Sequence, residues 1–174
     1  YSYPSVLQGL LGDDYQVDNF GLNSRTAQDT GDKPYRKESE YRRSLAFRPN
    51  IVILKMGTND TKTFNWSAGE AFESAYKALL EDYLALDTKP TVYLCTPAAA
   101  YPSAKGDVYA YSIQNSKLAE ARDIVKKVGA EYGLTVIDTA AFTEGHDDWY
   151  AWDGIHPNKE AAGKMAHFIY EGMK

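Results

Sequence analysis

Asp153 and His156 stand three residues apart in Trp152-Asp153-Gly154-Ile155-His156-Pro157-Asn158, a spacing that on a turn sets a carboxylate against one imidazole nitrogen. A carboxylate so placed fixes the tautomer and leaves the other nitrogen free as a general base. Gly154 between them permits the tight turn. A second segment, Met56-Gly57-Thr58-Asn59-Asp60, puts the Asn59 amide just past a predicted strand end, where Gly57 lets the backbone turn sharply. An amide held there can donate a hydrogen bond to a developing oxyanion, and the backbone N–H of Gly21, in Asn19-Phe20-Gly21-Leu22-Asn23, is a second candidate donor. One oriented base and two donors make up most of a site for acyl transfer. The missing part is a nucleophile.

The elements that must position these residues follow from hydrophobic periodicity. Short apolar runs alternate with longer amphipathic segments, the pattern of a parallel sheet flanked by helices. Strands are predicted at Tyr15–Phe20, Ile51–Met56, Thr91–Cys95 and Leu134–Ile137, the second reading as a nearly continuous apolar run that is covered on both faces. Helices are predicted from about Ala68 to Leu86 and from Ser112 to Tyr132, with Gly133 terminating the latter. Further helices are expected after Pro157, from about Lys37 to Ala46, and over Pro4 to Leu11. The loop Ala98–Tyr111 follows a strand at the carboxyl edge of the sheet, where open α/β sheets bind ligands, and is a candidate substrate wall.

The 174 residues, 44% hydrophobic and 25% charged, suit one domain over 1–174. A net charge of -5, with no basic run to track a phosphate backbone, argues against nucleic acid as a partner. The longest apolar stretches are of strand length, shorter than a bilayer span, so no membrane is expected. Cys95 is the lone cysteine, which excludes an internal disulfide and a cysteine-built zinc site. As a nucleophile it is a poor candidate and reads better as a small buried hydrophobe. Ser2, Ser5 and Ser24 are nucleophiles in principle only. His146 beside Asp147 and Asp148 reads as a solvated acidic loop, His167 as a helix residue, and no metal spacing is present. Among 14 Tyr and three Trp, the residues Trp66, Tyr101, Tyr109, Tyr111, Trp149 and Trp152 fall in or beside the loops of the site, where they either stack on sugar rings or pack internally.

Gly21 after a strand, Gly57-Thr58-Asn59-Asp60 after the next, and Asp153-Gly154-Ile155-His156-Pro157-Asn158 before the last helix resemble blocks two, three and five of the SGNH or GDSL hydrolases. Tyr3-Pro4, Leu11-Gly12, Asn19-Phe20-Gly21, Gly31-Asp32-Lys33-Pro34-Tyr35 and Lys62 add resemblance to the bacterial lipase, acylhydrolase and sialate O-acetylesterase branch. The resemblance covers nearly the whole chain. It implies a three-layer α/β/α sandwich with a flavodoxin-like parallel sheet. It also implies a serine esterase that removes short acyl groups, acetyl first among them, from carbohydrate or similar esters without metal or organic cofactor. Asp153 and His156 would then be catalytic, and Gly21 and Asn59 would bind the oxyanion.

The family's nucleophile sits in a Gly-Asp-Ser block at the end of the first strand, upstream of the segment resembling Tyr3-Pro4, and nothing in this sequence matches it. The first strand is internal in a 2-1-3-4-5 sheet, so its neighbours are expected to lack a partner. Three arrangements are open: truncation of a longer parent, a strand donated by a partner or by a second copy in a homo-oligomer, and a non-catalytic binding or assembly subunit. Truncation is favoured, because Asn59, Asp153 and His156 are all present. A secreted or periplasmic location would suit a parent enzyme that works on polysaccharides.

Overall fold

The computed structural model describes residues 2–102 and 106–174, so Ser103, Ala104 and Lys105 of the proposed substrate wall lie outside the described residues. Three parallel strands, β1 (Ile51–Leu54), β2 (Thr91–Cys95) and β3 (Thr135–Ile137), form a sheet in the order β1-β2-β3. Ile51 is in register with Thr91, and Tyr93 with Thr135. The helices are α1 (Tyr3–Leu11), α2 (Ser39–Ala46), α3 (Gly69–Leu84), α4 (Asn115–Tyr132), α5 (Thr139–Thr143) and α6 (Lys159–Gly172).

Alternation along the strands builds two cores, because successive side chains point to opposite faces. Val52, Leu54, Val92, Leu94 and Val136 face Phe72, Leu79, Leu80, Val125 and Val128 of α3 and α4. Ile53, Tyr93, Cys95 and Ile137 face Tyr3, Met165 and Ile169 of α1 and α6. The result is the expected α/β/α sandwich. Gly133 ends α4 in the left-handed conformation, φ 64°, as its sequence position predicts. Asn158 caps α6, its Oδ1 accepting from the Ala161 N–H at 2.9 Å, and so fixes the chain directly after the His156 turn. Among the described residues no helix is long and apolar enough to cross a membrane.

One predicted strand is absent. Tyr15–Phe20 has no ladder partner, and side chains hold it in place instead. Gln8 of α1 donates to the Tyr15 carbonyl at 2.8 Å and accepts from the Val17 N–H at 2.7 Å, while the Tyr35 hydroxyl donates to the Phe20 carbonyl at 2.9 Å. A strand exists only when a neighbour satisfies its backbone, and among the described residues the side of β1 away from β2 also has no pairing partner. Between the two lies a cavity of about 330 Å³ lined by residues 15–21 and 51–56 together with Leu7 and Met173. Ile51, Val52 and Ile53 are therefore only half-buried, although their run of apolar side chains suits a strand covered on both faces and paired on both edges.

Candidate active site

The Asp153–His156 turn is held by its own backbone. Ala151 N–H donates to the His156 carbonyl at 2.7 Å, Gly154 N–H to the Ala151 carbonyl at 2.9 Å, and Asn158 N–H to the Trp149 carbonyl at 2.7 Å. Within this frame Asp153 is buried, and its Oδ1 accepts from the Ile155 and His156 N–H groups at 2.8 and 2.9 Å. Its Oδ2 lies 2.8 Å from His156 Nδ1. Burial works against the charged carboxylate. The hydrogen bonds from His156 backbone and side chain and from Ile155 outweigh it, holding the Asp153 pKa down at about 2. The carboxylate thus stays ionised and selects the Nδ1–H tautomer of an imidazole that is 59% exposed. Nε2 has no partner among the described residues and is free to take a proton.

Gly154 makes this geometry attainable for a second reason beyond the turn. Its φ is +67°, and a Cβ there would lie 1.9 Å from the Tyr101 carbonyl oxygen. Tyr101 N–H donates to the Gly154 carbonyl at 2.8 Å, so the loop after β2 is sewn to the dyad turn by direct backbone contact.

The turn after β1 is built in the same way. Gly57 has φ +123°, and a Cβ would meet Pro97 Cγ at 3.0 Å and Phe72 Cζ at 3.1 Å. Asn59 opens the short 3-10 turn Asn59–Thr61, half-buried, with no side-chain hydrogen bond among the described residues. Its carbonyl accepts from Asn65 Nδ2 at 2.9 Å, which fixes the backbone and leaves the amide available. Asp60 is fully buried and points the other way, accepting from Ala27 N–H at 3.0 Å and Gln28 N–H at 2.9 Å. Burial raises its pKa to about 6 against those backbone donors, so Asp60 is a structural anchor for the 26–28 segment. The Asn59 turn is tied in turn to the loop 108–114: Thr63 N–H donates to the Ser112 carbonyl at 2.9 Å and Gln114 N–H to the Thr61 carbonyl at 3.0 Å. That loop carries Tyr111, which touches both Asp153 and His156.

Comparison with known proteins places this arrangement. Residues 1–163 match the GDSL-like Lipase/Acylhydrolase family. The chain belongs to that family. An acetylxylan esterase of Xylanibacter ruminicola is 38% identical over 193 aligned positions, which take in 100% of this chain and 39% of the relative. The chain therefore spans well under half the length of the curated relative it matches. Est24, a carbohydrate acetylesterase from Sinorhizobium meliloti, superposes with a TM-score of 0.78 at 19% identity, covering 99% of this chain and 84% of that one. The acetyl xylan esterase AlAXEase superposes with a TM-score of 0.75 at 21% identity, covering 99% and 91%. These likenesses establish the SGNH hydrolase fold.

The other sequence candidates in this GDSL-like chain fall away from the dyad or into other roles. Gly21 lines the cavity beside β1, and its N–H donates to Asn19 Oδ1 at 2.9 Å, a local bond that must open before the group can serve an oxyanion. Cys95 is buried on the α1/α6 face, where burial raises its thiol to about 12, so it stays protonated. Ser24 has φ 66° and, among the described residues, no hydrogen bond to His156, and the Ser5 hydroxyl is spent on the Ser2 carbonyl. His146 stacks on Trp149 with ring centroids 3.7 Å apart, and His167 is exposed on α6. No group of three metal-ligating side chains occurs among the described residues.

Of the aromatic set, Trp66 packs on Phe72 and Tyr101 on Tyr150, both internal contacts, whereas Trp152 is 87% exposed beside Asp153. Sequence reasoning missed the contact of Tyr111 with the dyad and the seat of Gly154 on Tyr101. Both join loops far apart in the chain, and no spacing rule reports such a contact.

Proposed function

We propose that this chain is the base-bearing and oxyanion-binding part of a serine esterase that removes short acyl groups, acetyl in particular, from acylated carbohydrate. The observation that carries this reading is the Asp153–His156 pair, with Oδ2 to Nδ1 at 2.8 Å, on a chain of the acylhydrolase family. The acetyl and carbohydrate preference is supported by the acetylxylan esterase relative, aligned over the whole of this chain.

In the reaction a serine hydroxyl attacks the ester carbonyl and its proton passes to His156 Nε2. The Asn59 side-chain N–H and the Gly21 N–H hold the tetrahedral oxyanion, Gly21 after releasing Asn19. Collapse expels the sugar alkoxide, which takes the proton from the imidazolium and leaves an acyl-serine. Water, deprotonated by the same nitrogen, then adds to the acyl carbonyl, and acetate leaves as the serine regains its proton. Asp153 stabilises the imidazolium in both halves.

The serine belongs to a strand that fills the cavity between residues 15–21 and β1. Three features support an occupant there: the unpaired edge of β1, the unpaired Tyr15–Phe20 segment, and Lys55. Lys55 lines that cavity, has no ion pair among the described residues, and is held below its ordinary pKa by burial. A parallel strand inserted there would satisfy both backbones and deliver its carboxyl end toward the turns that follow β1 and β2.

The test is hydrolysis of p-nitrophenyl acetate, and acetate release from acetylated xylan, by this chain alone and by the same chain extended through the reading frame before Tyr1. His156→Ala serves as background in both forms. The chain alone should match its background. The extended form should exceed its own by about 10⁴-fold or more. His156-dependent turnover by the chain alone would refute the strand assignment, and an inactive extended form would favour the binding-subunit reading.

A further inference from the structure

We infer that Tyr111 is a positioning residue of the Asp153–His156 pair, occupying the last acceptor site of the carboxylate and backing the imidazole with its ring. This rests on the reading of His156 as the base. An ionised carboxylate offers about four lone-pair sites. On Asp153 two are taken by the Ile155 and His156 N–H groups and one by His156 Nδ1. The Tyr111 hydroxyl donates to Oδ2, the oxygen that faces the imidazole, at 3.2 Å. The Tyr111 ring meets the His156 ring edge to face, with centroids 5.5 Å apart and an interplanar angle of 81°.

The backbone supplies an independent argument. Tyr111 has φ 57° and ψ 26°, and Ser112 has φ 62°, so two successive side-chain-bearing residues sit in the left-handed region. For a bulky L residue that conformation is strained, and it persists only where the surroundings over-determine it. Here they do. Thr63 N–H holds the Ser112 carbonyl at 2.9 Å, Tyr109 N–H holds the Ile113 carbonyl at 2.7 Å, and Lys62 and Ile113 form an antiparallel bridge. The strain aims a side chain that is 52% exposed back at the dyad when solvent was open to it. Its position also links the Asn59 turn to the base, so oxyanion donor and imidazole are set by one loop.

The consequence is electrostatic as well as steric. A hydroxyl donating to Oδ2 draws charge from the oxygen that steadies the imidazolium. Among the described residues Asp153 is the charged group paired with the imidazole, and Tyr111 is the other titratable side chain bonded to that carboxylate. Removing the hydroxyl therefore leaves Oδ2 to the imidazole alone and strengthens the Nδ1–H to Oδ2 hydrogen bond.

The experiment is NMR observation of the ring N–H protons of the three histidines in the 174-residue chain, with His156 assigned from His156→Ala. It needs no nucleophile, so its failure is separable from failure of the esterase reading. Tyr111→Phe keeps the ring and should move the His156 Nδ1–H proton resonance downfield, as a hydrogen bond to an unshared oxygen strengthens, with the unfolding temperature unchanged. Tyr111→Ala should also speed solvent exchange of the Nδ1–H. A His156 Nδ1–H resonance in Tyr111→Phe that superposes on the wild-type one, or moves upfield, overturns the proposal, whatever Tyr111→Ala does to folding.

Discussion

The turn 151–158 and the cavity beside β1 stand at opposite extremes of hydrogen-bond satisfaction within one molecule. In the turn, the Asp153 carboxylate takes four donors and the backbone closes on itself through Ala151, Gly154 and Asn158. At the cavity, one edge of β1 is unpaired and Tyr15–Phe20 is secured by Gln8 and Tyr35 instead of a ladder. The turn is complete because all its partners except Tyr111 lie within a few residues of one another. The cavity wants a neighbour from elsewhere in sequence, and a parallel strand cannot be replaced by a local turn. On the proposed function, the turns that carry the base and the oxyanion donor form without the strand that would fill the cavity, and perturbations of the two regions should differ in kind.

The largest effect expected is on chemistry at the complete region. In the nucleophile-bearing enzyme, His156→Ala should lower kcat/KM for p-nitrophenyl acetate by about 10⁴-fold or more, and Asp153→Asn by a similar factor, since an amide no longer enforces the Nδ1–H tautomer. His156 is largely exposed, so thermal unfolding of His156→Ala should stay close to wild type. Loss of folding in step with loss of activity would mean that the turn is structural and the comparison is wrong.

Next in size is Gly154→Ala. The added Cβ would stand 1.9 Å from the Tyr101 carbonyl oxygen, at a backbone where φ is already +67°. Neither the turn nor the 99–102 segment can yield cheaply, because both are tied by backbone bonds, so destabilisation of about 3 kcal/mol is expected in urea unfolding. A variant within 0.5 kcal/mol of wild type, in order-of-magnitude terms, would show that the turn is less constrained than its hydrogen bonds indicate.

How far the sequence disclosed all this follows the same division. The strands buried between two helix layers and the amphipathic helices were legible from periodicity, since side-chain spacing alone sets which face is apolar. The Asp153, Gly154, His156 cluster and the Gly57, Asn59 turn were legible because their geometry is local. Tyr15–Phe20 has a strand-like composition and forms no strand, because pairing is supplied by a neighbour and not by the segment itself. Tyr111 was legible only as a loop aromatic, because its contact with Asp153 spans residues far apart in the chain, and no local rule predicts two successive left-handed residues. Asp60 stands next to Asn59 in the same segment, and only its bonds to Ala27 and Gln28, more than thirty residues away, show it to be an anchor.

That anchoring yields the smallest and sharpest of the expected effects. Asp60 has a folded-state pKa raised from 3.8 to about 6, chiefly by burial. A carboxyl raised in this way binds a proton in the folded state before the unfolded state does. Its contribution to stability therefore grows as pH falls from about 6 toward 4, and is lost as pH rises through 6. Asp153 has the opposite sign: its pKa is lowered to about 2, so its contribution is present above the ordinary carboxylate range and lost only as pH falls toward 2. In Asp60→Asn one oxygen can still accept a backbone N–H, but the amide NH₂ faces the other, and no titration remains. The stability difference between wild type and Asp60→Asn should widen by about 1–2 kcal/mol between pH 7 and pH 4.5, read from urea midpoints at fixed ionic strength. A difference that stays flat or narrows on acidification would mean that Asp60 is ionised throughout. The 26–28 segment would then be held by a charged carboxylate, as the dyad turn is.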